Sequence, residues 1–383
     1  NGWYTNGLTA GSTPTPSNDY VFYKWLGDVP TNQSFDDPLT VAMTQPRVIE
    51  ASFRSVTSEV KVWRGTGRWT TATNWTPVGM PGAIDRAILA TGTVVLATAE
   101  RVASLVISNG ATLMCSNWTS GLTVDGNVLM NSNGFIRTPA AFAEGVPSNR
   151  IVLICGGNLT ILPGSAINAD AGGYVGRELA DGYGPGRGGR RMGGAGHGGA
   201  GGNSSVGYAG VAYGNSNAPT APGSSGGSDS VAGRVAGSGG GAIQVEVAGT
   251  VALDGMLTAN GGTAGAYTGG GSGGSIYLMC AELTGNGTLR ARGSDGNTTA
   301  GAGGGGGRIA VWVSVSPAIR AAFLSGTVFG NLRVGTNSPP TFTGTVSVTN
   351  GLAYGGANYQ NGAPGTALFM TYVGAKGTIF IVR

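Results

Sequence analysis

The chain has 383 residues, of which 74 are glycine, 10% are charged and 40% are hydrophobic. Little charge with much glycine suggests low complexity, yet the apolar residues fall in periodic strands, which excludes a disordered chain. Twenty-two basic residues, nearly all arginine, against 18 acidic ones give a net charge of +4 spread along the chain; so weak an excess does not predict nucleic-acid binding, and no segment reaches the roughly 18 apolar residues of a membrane span.

Residues 1–53 carry Trp3-Tyr4-Thr5-Asn6-Gly7, then Tyr20-Val21-Phe22-Tyr23-Lys24-Trp25-Leu26-Gly27-Asp28, Pro38-Leu39-Thr40-Val41-Ala42-Met43 and Val48-Ile49-Glu50-Ala51-Ser52-Phe53. These read as short strands, with Phe22, Trp25 and Phe53 as their core. In motif order and spacing they resemble the internalin-type B repeat, or Listeria–Bacteroides repeat. The resemblance implies a small β-grasp-like module of bacterial surface proteins, a spacer or partner-binding unit without catalysis. The family's module opens with a further strand, whereas only Asn1-Gly2 precede Trp3 here. A module short of one strand has an open edge that accepts a strand from elsewhere, so Trp3, Tyr20, Phe22 and Trp25 are the candidate socket; a cut in the sequence is the other reading. A start at Asn1 rather than Met reads as a processed or truncated product, with a removed secretory signal as the expectation.

Residues 54–92 read as a linker and an N-terminal cap, with Trp63-Arg64-Gly65-Thr66-Gly67-Arg68-Trp69, Asn74-Trp75, Pro81-Gly82 and Asp85-Arg86-Ala87-Ile88-Leu89. This run resembles the start of autotransporter-like β-helix passengers and related surface proteins of Gram-negative bacteria. Trp69 and Trp75 are expected to cover the first coil; stacking on a sugar is the alternative.

Residues 93–315 repeat. Ile243-Gln244-Val245-Glu246-Val247, Ile276-Tyr277-Leu278-Met279-Cys280 and Ile309-Ala310-Val311-Trp312-Val313 start 33 residues apart, with an earlier copy at Ile151-Val152-Leu153-Ile154-Cys155. Odd-numbered positions are apolar in every copy, and Gln244 and Glu246 alternate with them, the period of a half-buried strand. Two further short strands follow each copy, as at Thr250-Val251-Ala252-Leu253 and Leu257-Thr258-Ala259-Asn260. A unit that cannot bury its own apolar face is stabilised by stacking on its neighbours. The predicted fold is therefore all-β: a right-handed parallel β-helix with three strands per coil, whose Gly-rich insertions leave one edge after the third strand.

The longest insertion, about residues 171–241, holds Gly184-Pro185-Gly186-Arg187-Gly188-Gly189-Arg190-Arg191 and the glycines of 193–202. With Gly273-Gly274-Ser275-Ile276 and Gly306-Gly307-Arg308-Ile309 it resembles a glycine-rich β-helix family of large secreted bacterial proteins. So long a structureless loop is improbable in a compact domain, and glycine strands packed along the edge, or against a neighbouring chain, are expected. Arg187, Arg190 and Arg191 form the dense basic cluster: a solvated loop, or a patch for an anionic ligand such as an acidic polysaccharide.

Enzymes of this fold cleave polysaccharides with paired carboxylates. Here the adjacent pair Asp36-Asp37 lies in the first module, and Asp125, Asp170, Asp254 and Asp295 are scattered over turns. Gly196-His197-Gly198 resembles a motif of pectin-cleaving hydrolases but sits inside the low-complexity insertion, and as His197 is the sole histidine, a serine or cysteine triad is excluded as well. No catalytic residue, cofactor or metal site is assigned, and the chain is not expected to be an enzyme. Cys155 and Cys280 fall in one inward column two coils apart, about 9.6 Å at the usual strand spacing, too far for a disulfide. They, with Cys115, cannot all pair.

Residues 316–383 read as C-terminal coils or a β cap ending in Thr378, Ile379, Phe380, Ile381 and Val382, a strand free to be donated. The sequence thus points to a structural subunit of an extracellular bacterial fibre or surface matrix, joining copies of itself head to tail. A cell-surface adhesin for polysaccharide is the alternative, and a polysaccharide-degrading β-helix enzyme a distant third.

Overall fold

Alternation of apolar and polar residues, broken every few positions by Asn-Gly, Asp-Gly or Gly-Gly, leaves the chain little choice but short strands joined by tight turns. The computed structural model describes residues 7–16, 20–30, 33–34, 36–55, 57–145, 147–148, 150–327 and 329–372. It is almost all β, and it divides into two compact units, residues 1–59 and 60–383. Trp3 and the proposed donor residues Thr378, Ile379, Phe380, Ile381 and Val382 lie outside the described residues.

In the first unit, Thr9–Ser12 pairs antiparallel with Leu39–Ala42, and Tyr20–Gly27 pairs antiparallel with Ile49–Ser55. Its core is Trp25, Leu39 and Val41, with Phe22, Met43, Ile49 and Ala51 packed against it.

The second unit is built from three eight-stranded sheets among the described residues, nearly all of them parallel, and no sheet closes into a barrel. From Ala99 to Val313 the chain visits the three sheets in rotation. Ala99–Val102, Gly121–Val124, Ile151–Cys155, Ala242–Val247, Ser275–Cys280, Arg308–Val313 and Thr366–Tyr372 line up in the first sheet; Ser104–Ile107 begins the same series in the second and Thr112–Cys115 in the third. The register follows the sequence repeat: Ile151 stands beside Ile243, Ile243 beside Ile276, and Ile276 beside Ile309. Ile243, Val245 and Val247 are buried while Gln244 and Glu246 are half-exposed, so a one-residue slip would turn the core face outward. One continuous apolar cluster runs from Trp63 to Phe369.

Three features depart from the sequence reading. Residues read as linker and cap already hold sheet strands: Val60–Trp63, Thr66–Arg68 and Arg86–Leu89 pair in parallel with their successors or predecessors. Their alternation is as good as that of later strands, but it spans only three or four residues. Residues 316–383, read as C-terminal coils or a β cap, begin instead with a helix, α1 (Pro317–Leu324); Ser316 caps it by accepting the N–H of Ile319, and proline stands at its first position. Finally, Leu332–Gly335 turns back antiparallel on Thr366–Tyr372 and ends the first sheet.

The outer face of the first sheet is also covered at its later strands. Tyr277, Met279, Ala310, Trp312 and Met370 form a second buried cluster, packed by Phe323 of α1 and by Ala218 of the long insertion. Strands buried on both faces read as nearly continuous apolar runs, which Ser275–Cys280 and Arg308–Val313 do.

Candidate functional site

The glycine insertion is the least ordinary part of the chain. Between Ala169 and Ala242 it contains neither a helix nor a named strand, yet its backbone is tied to remote segments. Ala195 donates to Gly270 O, Gly270 to Ala302 O, Gly305 to Ala195 O, and Gly199 to Gly306 O, at 2.7–3.0 Å. Glycine tracts from three successive insertions thus satisfy one another's N–H and C=O groups, as buried backbone requires. Such proximity leaves no room for a side chain: a Cβ on Gly305 would stand 2.1 Å from Gly199 O. The tracts pack on one another within one molecule, as irregular backbone rather than the expected glycine strands.

His197 lies inside this bundle, fully buried, with its ring 4.7 Å from that of Tyr213. Its Nδ1 is 2.9 Å from Gly273 O, so Nδ1 carries the proton; Nε2 has no partner. Burial, opposed by the Gly273 carbonyl and assisted by the charge of Arg308, pulls its pKa down to about 4. The imidazole is a neutral packing group. Arg308, itself buried, donates to Tyr213 O and Thr366 Oγ1.

The acids dispersed over turns tie neighbouring turns together. Asp170 accepts the backbone and side-chain N–H groups of Asn260, Asp254 accepts Asn286 N–H, and Asp295 accepts Leu352 N–H. Asp125 pairs with Arg101 at the surface. Asparagines extend the same ladder, Asn127 accepting from Asn158 and Asn158 from Thr250. Among the described residues no group of three His, Cys, Asp or Glu side chains is placed to hold a metal ion, and no helix is long and apolar enough to cross a membrane.

Trp69 and Trp75 do not present rings for stacking. With Trp63 they are buried to 1% exposure or less, in edge-to-face contacts at 5.0 and 5.2 Å. Trp25 is likewise unavailable to an incoming strand, being 5% exposed with its indole N–H donated to Asp36 O. This narrows the proposed socket: Tyr20 is 48% exposed, Phe22 is half-buried, and Phe53, expected in the core, stands at the surface at 36%. Ring contacts join Phe22 to Trp25 and to Phe53. All three cysteines are buried and free.

Two concave regions bear on the candidate residues and on α1. A groove of about 480 Å³ runs beside α1, lined by Ile154, Met279, Cys280, Val315 and Pro317 and bounded by the ion pair of Arg320 with Glu246 at 2.9 Å. On the insertion, a cleft of about 310 Å³ is lined by Asp181, Arg190, Arg191, Val206, Tyr208 and Ser230. The structure therefore brings Arg190 and Arg191 to one concavity. Arg187 is exposed nearby, its charge reaching Asp181 and Tyr208. Asp181, Val206 and Tyr208 escaped the sequence reading because nothing local marks them: they are 27 residues or fewer apart in a tract whose path only the glycine packing defines.

No family model, curated protein or solved structure matches this chain.

Proposed function

We propose that the protein is a structural subunit of an extracellular bacterial fibre or surface matrix, its second unit a right-handed parallel β-helix and its first unit the joining module. The rotation of the strands through three sheets supports the β-helix reading, and right-handed crossovers are the rule for parallel strands. Both ends of that unit carry material unsuited to simple coil-on-coil stacking. At one end Trp75–Thr76 pairs antiparallel on Val60–Trp63 over the tryptophan trio, and at the other Leu332–Gly335 pairs antiparallel beyond Thr366–Tyr372. Such terminal elements finish a solenoid rather than extend it. Trp75–Thr76 and Leu332–Gly335 each close one of the three sheets at its end, and the subunit contact we propose is made through the first module.

The observation that carries the joining role is its sheet arrangement. Tyr20–Gly27 pairs on one edge with Ile49–Ser55; no strand among the described residues pairs with its other edge, which at Trp25 is taken by the carbonyl of Ser34 and is left to an added strand from Tyr20 to Lys24. There an added strand would meet Tyr20 and Phe22. A contact of this heterologous kind yields a filament where its rotation does not close into a ring, and the filament is the form we propose. The donor we propose is residues 378–382. Deleting residues 377–383 is expected to leave folded monomers in sedimentation velocity where the full chain sediments as polymer; polymers of unchanged size from the deleted chain would contradict the donor assignment.

A further inference from the structure

The cleft on the glycine insertion has the make-up of a carbohydrate site, and its parts are fixed from behind. Arg190 donates its backbone N–H to Asp181 Oδ1, and the Tyr208 hydroxyl donates to Asp181 Oδ2 at 2.8 Å. Burial alone would raise the Asp181 pKa; these two hydrogen bonds and the charges of Arg187 and Arg177 outweigh it, so the carboxylate stays ionised and pins both neighbours. Tyr208 packs against Gly189, where a Cβ would stand 2.5 Å from its ring, yet the residue is 52% exposed. The phenol is held against the glycine tract while much of its surface faces outward beside Val206, itself 62% exposed. Arg191 and Met192 have φ of +68° and +73°, a backbone turn that side chains of their kind rarely adopt. Arg191 N–H donates to Ser228 O at 2.6 Å and its carbonyl accepts the Ser204 hydroxyl. That turn is locked from both sides.

The charge of the cleft is unbalanced. Among the described residues no carboxylate forms an ion pair with Arg187, Arg190 or Arg191. The other nearby acids are otherwise engaged: Asp229 pairs with Arg234, and Glu178 accepts Gly233 N–H. Two guanidinium forks beside an outward aromatic surface and a serine hydroxyl form a complementary set for a sugar ring bearing a carboxylate. The forks take the planar carboxylate, the phenol takes the apolar C–H face of the ring, and Ser230 and Asp181 offer partners for its hydroxyls. A volume of about 310 Å³ stands at the lower end of small-ligand sites, ~300–1,000 Å³, which suits a ring or two of a longer chain.

We propose that this cleft binds uronate units of an acidic extracellular polysaccharide, with Arg190 and Arg191 as carboxylate ligands and Tyr208 as the stacking platform. Binding does not require polymerisation, so the test is independent of the fibre reading. Titration calorimetry of the full chain with oligogalacturonate is expected to show binding that weakens as salt is raised, and no heat with a neutral maltooligosaccharide of equal length. Arg190→Gln with Arg191→Asn, the second chosen because asparagine tolerates positive φ, should weaken binding at least tenfold with an unchanged circular dichroism spectrum. Tyr208→Leu should weaken it severalfold while keeping the salt dependence. No binding of oligogalacturonate by the wild type, equal binding of the neutral sugar, tighter binding of oligothymidylate, or an arginine double variant that binds as well as the wild type would each overturn the proposal.

Discussion

The indole N–H of Trp312 donates to the carbonyl oxygen of Asn217, 2.8 Å away and 95 residues earlier in the chain. A side chain on the outer face of the first sheet thereby fastens the long insertion, while Phe323 of α1 meets the same indole edge-to-face at 5.6 Å. The insertion is thus held by side-chain anchoring as well as by glycine packing. Trp312→Phe would keep much of the ring contact and remove the hydrogen bond, leaving Asn217 O without its buried donor, a loss of about 1–3 kcal/mol. Hydrogen exchange should show faster exchange across residues 213–222 with little change in Ile243–Val247, whose ladder does not depend on the indole.

Glycine at the crest is required by space. Gly305→Ala places a methyl 2.1 Å from the backbone oxygen of Gly199, which has no flexible end to move aside. Such overpacking destabilises by ~1–3 kcal/mol or more. Gly330, where a Cβ meets nothing within 4 Å and φ is not positive, should accept alanine within about 0.5 kcal/mol. Equal melting shifts for the two variants would contradict the packing.

The register makes a matched pair of predictions. Ile243 is 1% exposed and its neighbour Gln244 is half-exposed. Ile243→Asp buries an unpaired charge and should lose several kcal/mol; Gln244→Asp should be close to neutral. Urea denaturation of the two proteins measures the difference.

His197 gives the fold an acid dependence. Unfolded, the imidazole protonates near its ordinary 6.5; folded, it resists protonation down to about 4. Between those values the unfolded chain binds the extra proton, so stability that is complete above pH 6.5 declines as pH falls toward 4, by about 3 kcal/mol in all. The slope of stability against pH should flatten across that window in His197→Asn, whatever its absolute stability. An unchanged slope would place the ring in water.

The buried thiols give a chemical check. Burial pushes the pKa of Cys115, 1% exposed, up to about 12, so in native protein at pH 8 Cys115 should react with iodoacetamide only on the timescale of unfolding. Denatured, unreduced protein should alkylate at all three positions, Cys155 included.

How much of this was legible in the sequence follows from the range of the signals. The pairing of Ile243 with Ile276 and Ile309 was readable because a fixed offset and a period of two constrain each other. The cover over the other face of the same strands was written there too, since Tyr277, Met279 and Trp312 break the polar alternation that Gln244 and Glu246 keep; what lies on them depends on a path 95 residues away. The α1 helix went unread: its cap pair Ser316-Pro317 is a local signal, but eight residues among strands are too few to show a helical period. The cleft was the least legible. Arg190 and Arg191 stood out by charge, whereas their partners Asp181 and Tyr208 are brought in by glycine contacts that have no side-chain pattern to read.

The joining role of the first module is tested most directly by negative-stain imaging of the concentrated full chain, alone and with excess synthetic peptide of residues 377–383. The account predicts unbranched filaments with one subunit per repeat, and their replacement by single particles when the peptide occupies the edge at Tyr20 to Lys24. Single particles at every concentration of the full chain, or filaments indifferent to the peptide, would contradict it.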